Sequence, residues 1–307
     1  MGKIFINKNR QVRSGWKIAS TFSSFYIGVN VLAFILAIIW VVILITTKTV
    51  AASEIQSYMK NATGLDSGFG MVLSILQCVG MIFFVVLFWK VYDKRPIRDM
   101  GLINIKKGYV DLLKGLAYGA ISLIIVFAIL YFSGNIILVN TFSKPHIGSF
   151  LLTGIILFIF VGINEEMFAR GYCMTVLKQT GNQWVVIIVS SIIFALMHSL
   201  NPAMSWLSYL NLFLFGVFTA FMFIKSKSLW LSIGYHITWN YFEGNIFGFQ
   251  VSGQETQAVY SLRAVGNSII TGGKFGPEGG LIVTFILIIG MIYIWKIYKP
   301  QNLEKVC

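Results

Sequence analysis

Long apolar runs separated by short polar links set the pattern of this chain. Eight stretches, roughly 25–47, 69–89, 112–133, 147–178, 183–201, 205–224, 228–249 and 279–298, carry few charges. Each is long enough to cross about 30 Å of hydrocarbon as a helix. The links between the fifth, sixth and seventh runs leave no room for a water-soluble insertion, and no internal repeat or low-complexity segment interrupts the series. The pattern predicts an all-α polytopic integral membrane protein of about eight transmembrane helices around a central polar catalytic cavity. The first run is too long for a signal-peptide core and follows a basic tail (Lys3, Lys8, Arg10, Arg13, Lys17), so it reads as an uncleaved span. The expected division is a basic N-terminal tail over 1–24, one transmembrane helical domain over 25–298 and a C-terminal tail over 299–307.

Composition strengthens this reading. Of the 307 residues, 57% are hydrophobic and 11% charged, whereas soluble domains carry roughly 25% charge. A water-facing surface cannot be covered with so little charge, and the chain belongs in a lipid bilayer. The net charge of +13 does not point to nucleic acid, because no folded soluble basic module carries it. The basic residues fall in the short links instead. With the N-terminus inside, 19 of the 24 Lys and Arg lie on the inner side, and only Lys48, Lys60, Lys144, Arg263 and Lys274 lie outside. Both termini are therefore expected in the cytoplasm. Frequent Ile, Lys and Asn suggest a low-GC bacterial source, and the expected location is the cell membrane. Cys78, Cys173 and Cys307 show no paired spacing, which argues against a disulfide framework or a zinc–cysteine site. Cys173 reads as a small apolar helix residue. The Gly115–Gly119 spacing suggests close helix contact and nothing more.

Against this apolar background the polar residues of the later runs stand out. Glu165, Glu166 and Arg170 lie in the fourth run, His198 in the fifth, and His236 with Asn240 in the seventh. Charge at membrane depth costs about 2.5–3.5 kcal/mol per residue on insertion scales and is functional by default. At 1.5 Å per residue, Glu165 lies about 20 Å from Lys178, His198 about 24 Å from Asn182, and His236 and Asn240 about 14 and 20 Å from Lys227. Three helices thus bring their polar groups to a similar level.

Adjacent residues point about 100° apart on a helix, so Glu165 and Glu166 cannot serve one spot. Arg170 lies four residues past Glu166 and can neutralise it, leaving Glu165 as the working acid or base. His198, four residues after Phe194, can join Glu165 in holding and deprotonating a water. His236 and Asn240 share a helix face and form a donor pair suited to an oxyanion. Each has a structural alternative: a bundle-stabilising charge cluster for the acids and Arg170, a hydrogen-bonded core residue for His198, interhelical polar contacts for His236 and Asn240. Zinc is the chemical alternative, since Glu165, His198 and His236 have the types of a His₂Glu site. Against zinc, no HExxH helix accompanies them and the ligands would come from three separate helices, so zinc stays a disfavoured alternative beside a site with no cofactor.

Taken together, Glu165-Glu166-x-x-x-Arg170, Phe194-x-x-x-His198 and His236-x-x-x-Asn240, the last preceded by Leu229-Trp230, resemble the CAAX-protease and bacteriocin-processing (CPBP, or ABI) family of intramembrane glutamate endopeptidases. Asn211 and Gly216 resemble a weaker motif between them. The resemblance covers about residues 147–245. It implies a metal-free protease in which Glu165 and His198 activate water, His236 and Asn240 hold the oxyanion, and Glu166 and Arg170 support the site or touch substrate; Phe194 and Asn211 join the supporting residues. The expected partner is a membrane-associated peptide or protein, processed as CAAX-type, bacteriocin or signalling peptides are. Two other classes are carried alongside: a non-enzymatic bacteriocin-immunity or binding protein, and a proton-coupled transporter, for which inverted repeats would be expected.

Overall fold

The computed structural model describes residues 2–7 and 9–298; the predicted C-terminal tail, with Cys307, lies outside the described residues. Eight apolar helices dominate, numbered here in chain order: α1 Ser14–Thr46, α2 Gly68–Phe88, α3 Ile105–Phe132, α4 Phe150–Glu166, α5 Gln183–Met197, α6 Trp206–Ser226, α7 Trp230–Tyr241 and α8 Leu281–Lys296. The protein is an all-α polytopic membrane protein. Five of its helical stretches are individually long and apolar enough to cross a bilayer: Ser14–Thr46, Gly68–Asp93, Ile97–Phe132, Phe150–Thr180 and Trp206–Ser226. The other three predicted runs form shorter helices, because α5 stops before a turn at 198–204 and α7 passes into a π-helical turn over Phe242–Ile246.

The N-terminal boundary differs from expectation. Helix α1 starts at Ser14, not near residue 25. Its first turns are drawn into the bundle because Lys17, only 1% exposed, places its ammonium 2.5 Å from Asp93. Thr21 adds a hydrogen bond to the Tyr172 hydroxyl at 3.0 Å. A basic residue that sequence assigns to a solvated tail is thus a buried ion-pair partner.

Helix α7 is held between α3 and α4, α2 packs against α4 and α1, and α6 packs against α5 and α8. The α3–α7 contact depends on glycine. A Cβ on Gly115 would lie 2.2 Å from the Leu231 carbonyl oxygen, and one on Gly119 would lie 2.3 Å from that of Tyr235. The small-residue stripe lets the backbones meet, and the Thr238 hydroxyl donates across the seam to the Leu116 carbonyl at 2.7 Å. Outside the bundle, an antiparallel ribbon of β1 (Ile136–Leu138) and β2 (Leu262–Ala264) ties two loops together. Hydropathy carries no trace of it.

Two cavities, of about 380 and 210 Å³, open among the loops. The first is lined by His146, Gln250 and Glu255, the second by Asp66, Ser149 and Asn245. Neither of these two is lined by the polar residues of mid-bundle.

Candidate active site

Helix α4 ends in the two acids, and their environments differ. Glu166 is fully buried, while the Glu165 side chain is 18% exposed. The chain continues directly from Glu166 into a π-helical turn, Met167–Cys173, which is buried throughout. Such turns occur often at functional sites. Another follows Asn240 on α7.

Arg170 lies on the first of these turns. Its Nε is 3.3 Å from Glu166 Oε2, and its guanidinium stands 4.2 Å over the Phe194 ring. Both terminal nitrogens are buried without hydrogen-bond partners, so the carboxylate and the ring face balance the charge. The other Glu166 oxygen accepts from His236 Nδ1 at 3.1 Å. Glu166 therefore joins α4 to α7 and fixes which imidazole nitrogen faces the site.

His198 caps the C-terminus of α5 and is not inside the span. Its Nδ1 is 2.9 Å from the Phe194 carbonyl oxygen. A carbonyl can only accept, so Nδ1 carries a hydrogen, and in the neutral ring Nε2 presents a lone pair. That Nε2 is 3.6 Å from Glu165 Oε2, and His236 Nε2 is 3.8 Å from the same oxygen. Both separations exceed a direct hydrogen bond and match groups that share one small molecule between them. Glu165 Oε2 has no hydrogen-bond partner and is buried. Several acceptors aimed at one point are satisfied by a donor such as a water O–H, the species a general base acts upon.

Aromatic rings wall the cluster. Phe194 stacks on Phe215 with centroids 5.6 Å apart, and Phe215 meets the His236 ring edge-on at 5.0 Å. Asn240, one turn past His236, is 5% exposed, and its side chain makes no hydrogen bond among the described residues. Asn211, expected from sequence to support the site, does not join it. Its amide nitrogen donates to the Glu278 and Gly280 carbonyls at 2.7 and 2.9 Å, and its oxygen accepts from Thr284 at 2.6 Å. These bonds fasten α6 to α8, leaving Asn211 no free polar atom for the cluster.

Two neighbours had no signal in the sequence. Asn164 precedes Glu165 and donates to Cys78 Sγ on α2 at 3.1 Å, so α2 forms a wall of the cluster. Phe215 looks like any other apolar residue of α6 until its contact with His236 is known. Among the described residues no set of three His, Cys, Asp or Glu side chains is arranged as a metal site.

Residues 147–242, which contain every residue of the cluster except Cys78, match the family described as type II CAAX prenyl endopeptidase Rce1-like. No curated protein matches the chain significantly. Over residues 147–242 the chain is thus similar to the Rce1-like type II CAAX prenyl endopeptidases.

Proposed function

We propose that this protein hydrolyses a peptide bond of a membrane-associated peptide or protein by a single attack of water, with Glu165 as general base. At family level it is an intramembrane CAAX-type protease acting on a membrane-associated protein. The observation carrying the finer reading is the convergence of His198 Nε2 and His236 Nε2 on Glu165 Oε2.

In this mechanism one water hydrogen faces Glu165 and the other the His198 lone pair, which turns an oxygen lone pair toward the substrate carbonyl. Glu165 takes the proton as the C–O bond forms. His236 serves the resulting oxyanion through Nε2–H as an imidazolium, because its Nδ1 hydrogen is committed to Glu166. Asn240 supplies a second donor. Glu165 then passes its proton to the departing amine nitrogen as the C–N bond breaks, so no acyl-enzyme forms and the base is regenerated. Glu166, Arg170 and Phe194 hold His236 and His198 in place. No metal is required, and both termini are assigned to the cytoplasm.

A comparison of membrane-associated peptides in cells making the wild type or the Glu165→Gln variant tests this reading. The wild type should produce cleavage products that disappear in the variant while uncleaved precursors accumulate. Identical peptide profiles at equal protein levels would favour a binding protein.

A further inference from the structure

A second pair of acids lies at the C-terminal end of α7, next to the turn that carries Asn240. Glu243, in the turn Phe242–Ile246, is fully buried. Glu278, in the turn Pro277–Gly279 that leads into α8, is 6% exposed. The loop between them folds back on the helix end. Phe249 N–H donates to the Glu243 carbonyl at 2.9 Å, and Gly253 N–H to that of Phe275 at 2.8 Å.

The two carboxyl groups are equipped unequally. Glu278 accepts from the Trp239 indole N–H at 3.0 Å and from the Ser252 hydroxyl at 2.5 Å, so both its oxygens are satisfied. Both side-chain oxygens of Glu243 are buried without a hydrogen-bond partner of good geometry. The Tyr235 ring stacks on Trp239 with centroids 5.6 Å apart, and its buried hydroxyl lies beside Ser122 without a hydrogen bond of good geometry. Neither acid pairs with a Lys, Arg or His among the described residues. A buried carboxylate pair with no basic partner is strongly unfavourable unless a proton neutralises it or a cation sits with it.

The oxygens around this point suit a cation. A Cβ on Gly276 would lie 3.4 Å from Glu243 Oε1 and 1.9 Å from the Gln250 carbonyl oxygen, which places both oxygens beside one glycine. Gly276 has φ +95°, a backbone conformation that glycine adopts freely. Carboxylate and carbonyl oxygens, with no nitrogen or sulfur, are a hard-cation donor set.

We propose that Glu243 and Glu278, with the Gln250 carbonyl, bind a hard cation, sodium or calcium, that clamps the 247–280 loop onto the end of α7. The clamp would hold the helix end that carries Asn240, and it does not depend on the peptidase reading. The test is thermal unfolding of the purified full-length protein in detergent, after chelation and exchange into choline chloride at constant ionic strength. Added CaCl₂ or NaCl should raise Tm by about 5 °C at saturation, and whichever salt acts identifies the ion. Glu243→Gln, which keeps the shape of the side chain, should remove the response, while Glu255→Gln at an exposed acid of the same loop should keep it. Isothermal titration of the wild type with CaCl₂ and with NaCl gives the answer even if the Glu243 variant does not fold. A wild type that neither shifts nor takes up heat with either ion would overturn the proposal. So would a Tm that follows pH alone and loses that dependence in Glu243→Gln, which would show a shared proton in place of a cation.

Discussion

His198 Nε2 stands 3.6 Å from Glu165 Oε2 while its Nδ1 is fixed on the Phe194 carbonyl at 2.9 Å. The second contact explains the first. With Nδ1–H committed, a neutral ring turns its Nε2 lone pair toward the acid, an arrangement that a donor placed between the two groups would satisfy. In the proposed mechanism that donor is the water that Glu165 deprotonates.

Asn240 tests the oxyanion assignment. Its amide has no competing hydrogen bond among the described residues, so Asn240→Ala should leave folding unchanged and lower kcat about 10²–10³-fold with little change in KM. Steady-state kinetics on a cleavable membrane peptide would separate the two. A change confined to KM would assign Asn240 to substrate binding.

Arg170 tests the support of the site. Arg170→Gln leaves Glu166 buried without its ion-pair partner, which should destabilise the fold by about 3–5 kcal/mol. The double variant Arg170→Met/Glu166→Gln should recover much of the melting temperature. It should not recover activity, because His236 Nδ1 would then face a neutral amide.

The α3–α7 seam tests how the site depends on helix packing. A leucine at Gly115 would drive its side chain into the Leu231 carbonyl and displace α7, which carries His236 and Asn240. Gly115→Leu should lower both Tm and cleavage, whereas Gly134→Ala, at an open loop position where a Cβ meets nothing within 4 Å, should spare cleavage while losing about 1 kcal/mol to its positive φ.

The mechanism requires no metal, so peptide cleavage should persist after prolonged treatment with EDTA or 1,10-phenanthroline. Loss of activity that returns with added Zn²⁺ would reassign Glu165, His198 and His236 as ligands.

Much of this was readable from sequence because charge in a membrane is rare enough to carry meaning. Glu166 with Arg170, and Glu165 with the two histidines, could be grouped by helical spacing and depth alone. What escaped was information that spacing does not hold. The orientation of His198 depends on its position as a cap where α5 ends, and hydropathy places it inside a span. Asn211 looks like a site residue until Glu278, Gly280 and Thr284 are seen to occupy its amide. Lys17 reads as tail until Asp93 draws it into the bundle. Glu243 and Glu278 are 35 residues apart in the sequence, and only the folded-back loop brings them together.

The most direct measurement is cleavage of a membrane-anchored reporter peptide by purified wild-type, Glu165→Gln and His198→Ala proteins of equal melting temperature. The wild type should cut, the Glu165 variant should be slower by at least about 10³-fold and the His198 variant by about 10²–10⁴-fold. Undiminished cleavage by folded Glu165→Gln protein would contradict the assignment of Glu165 as the base.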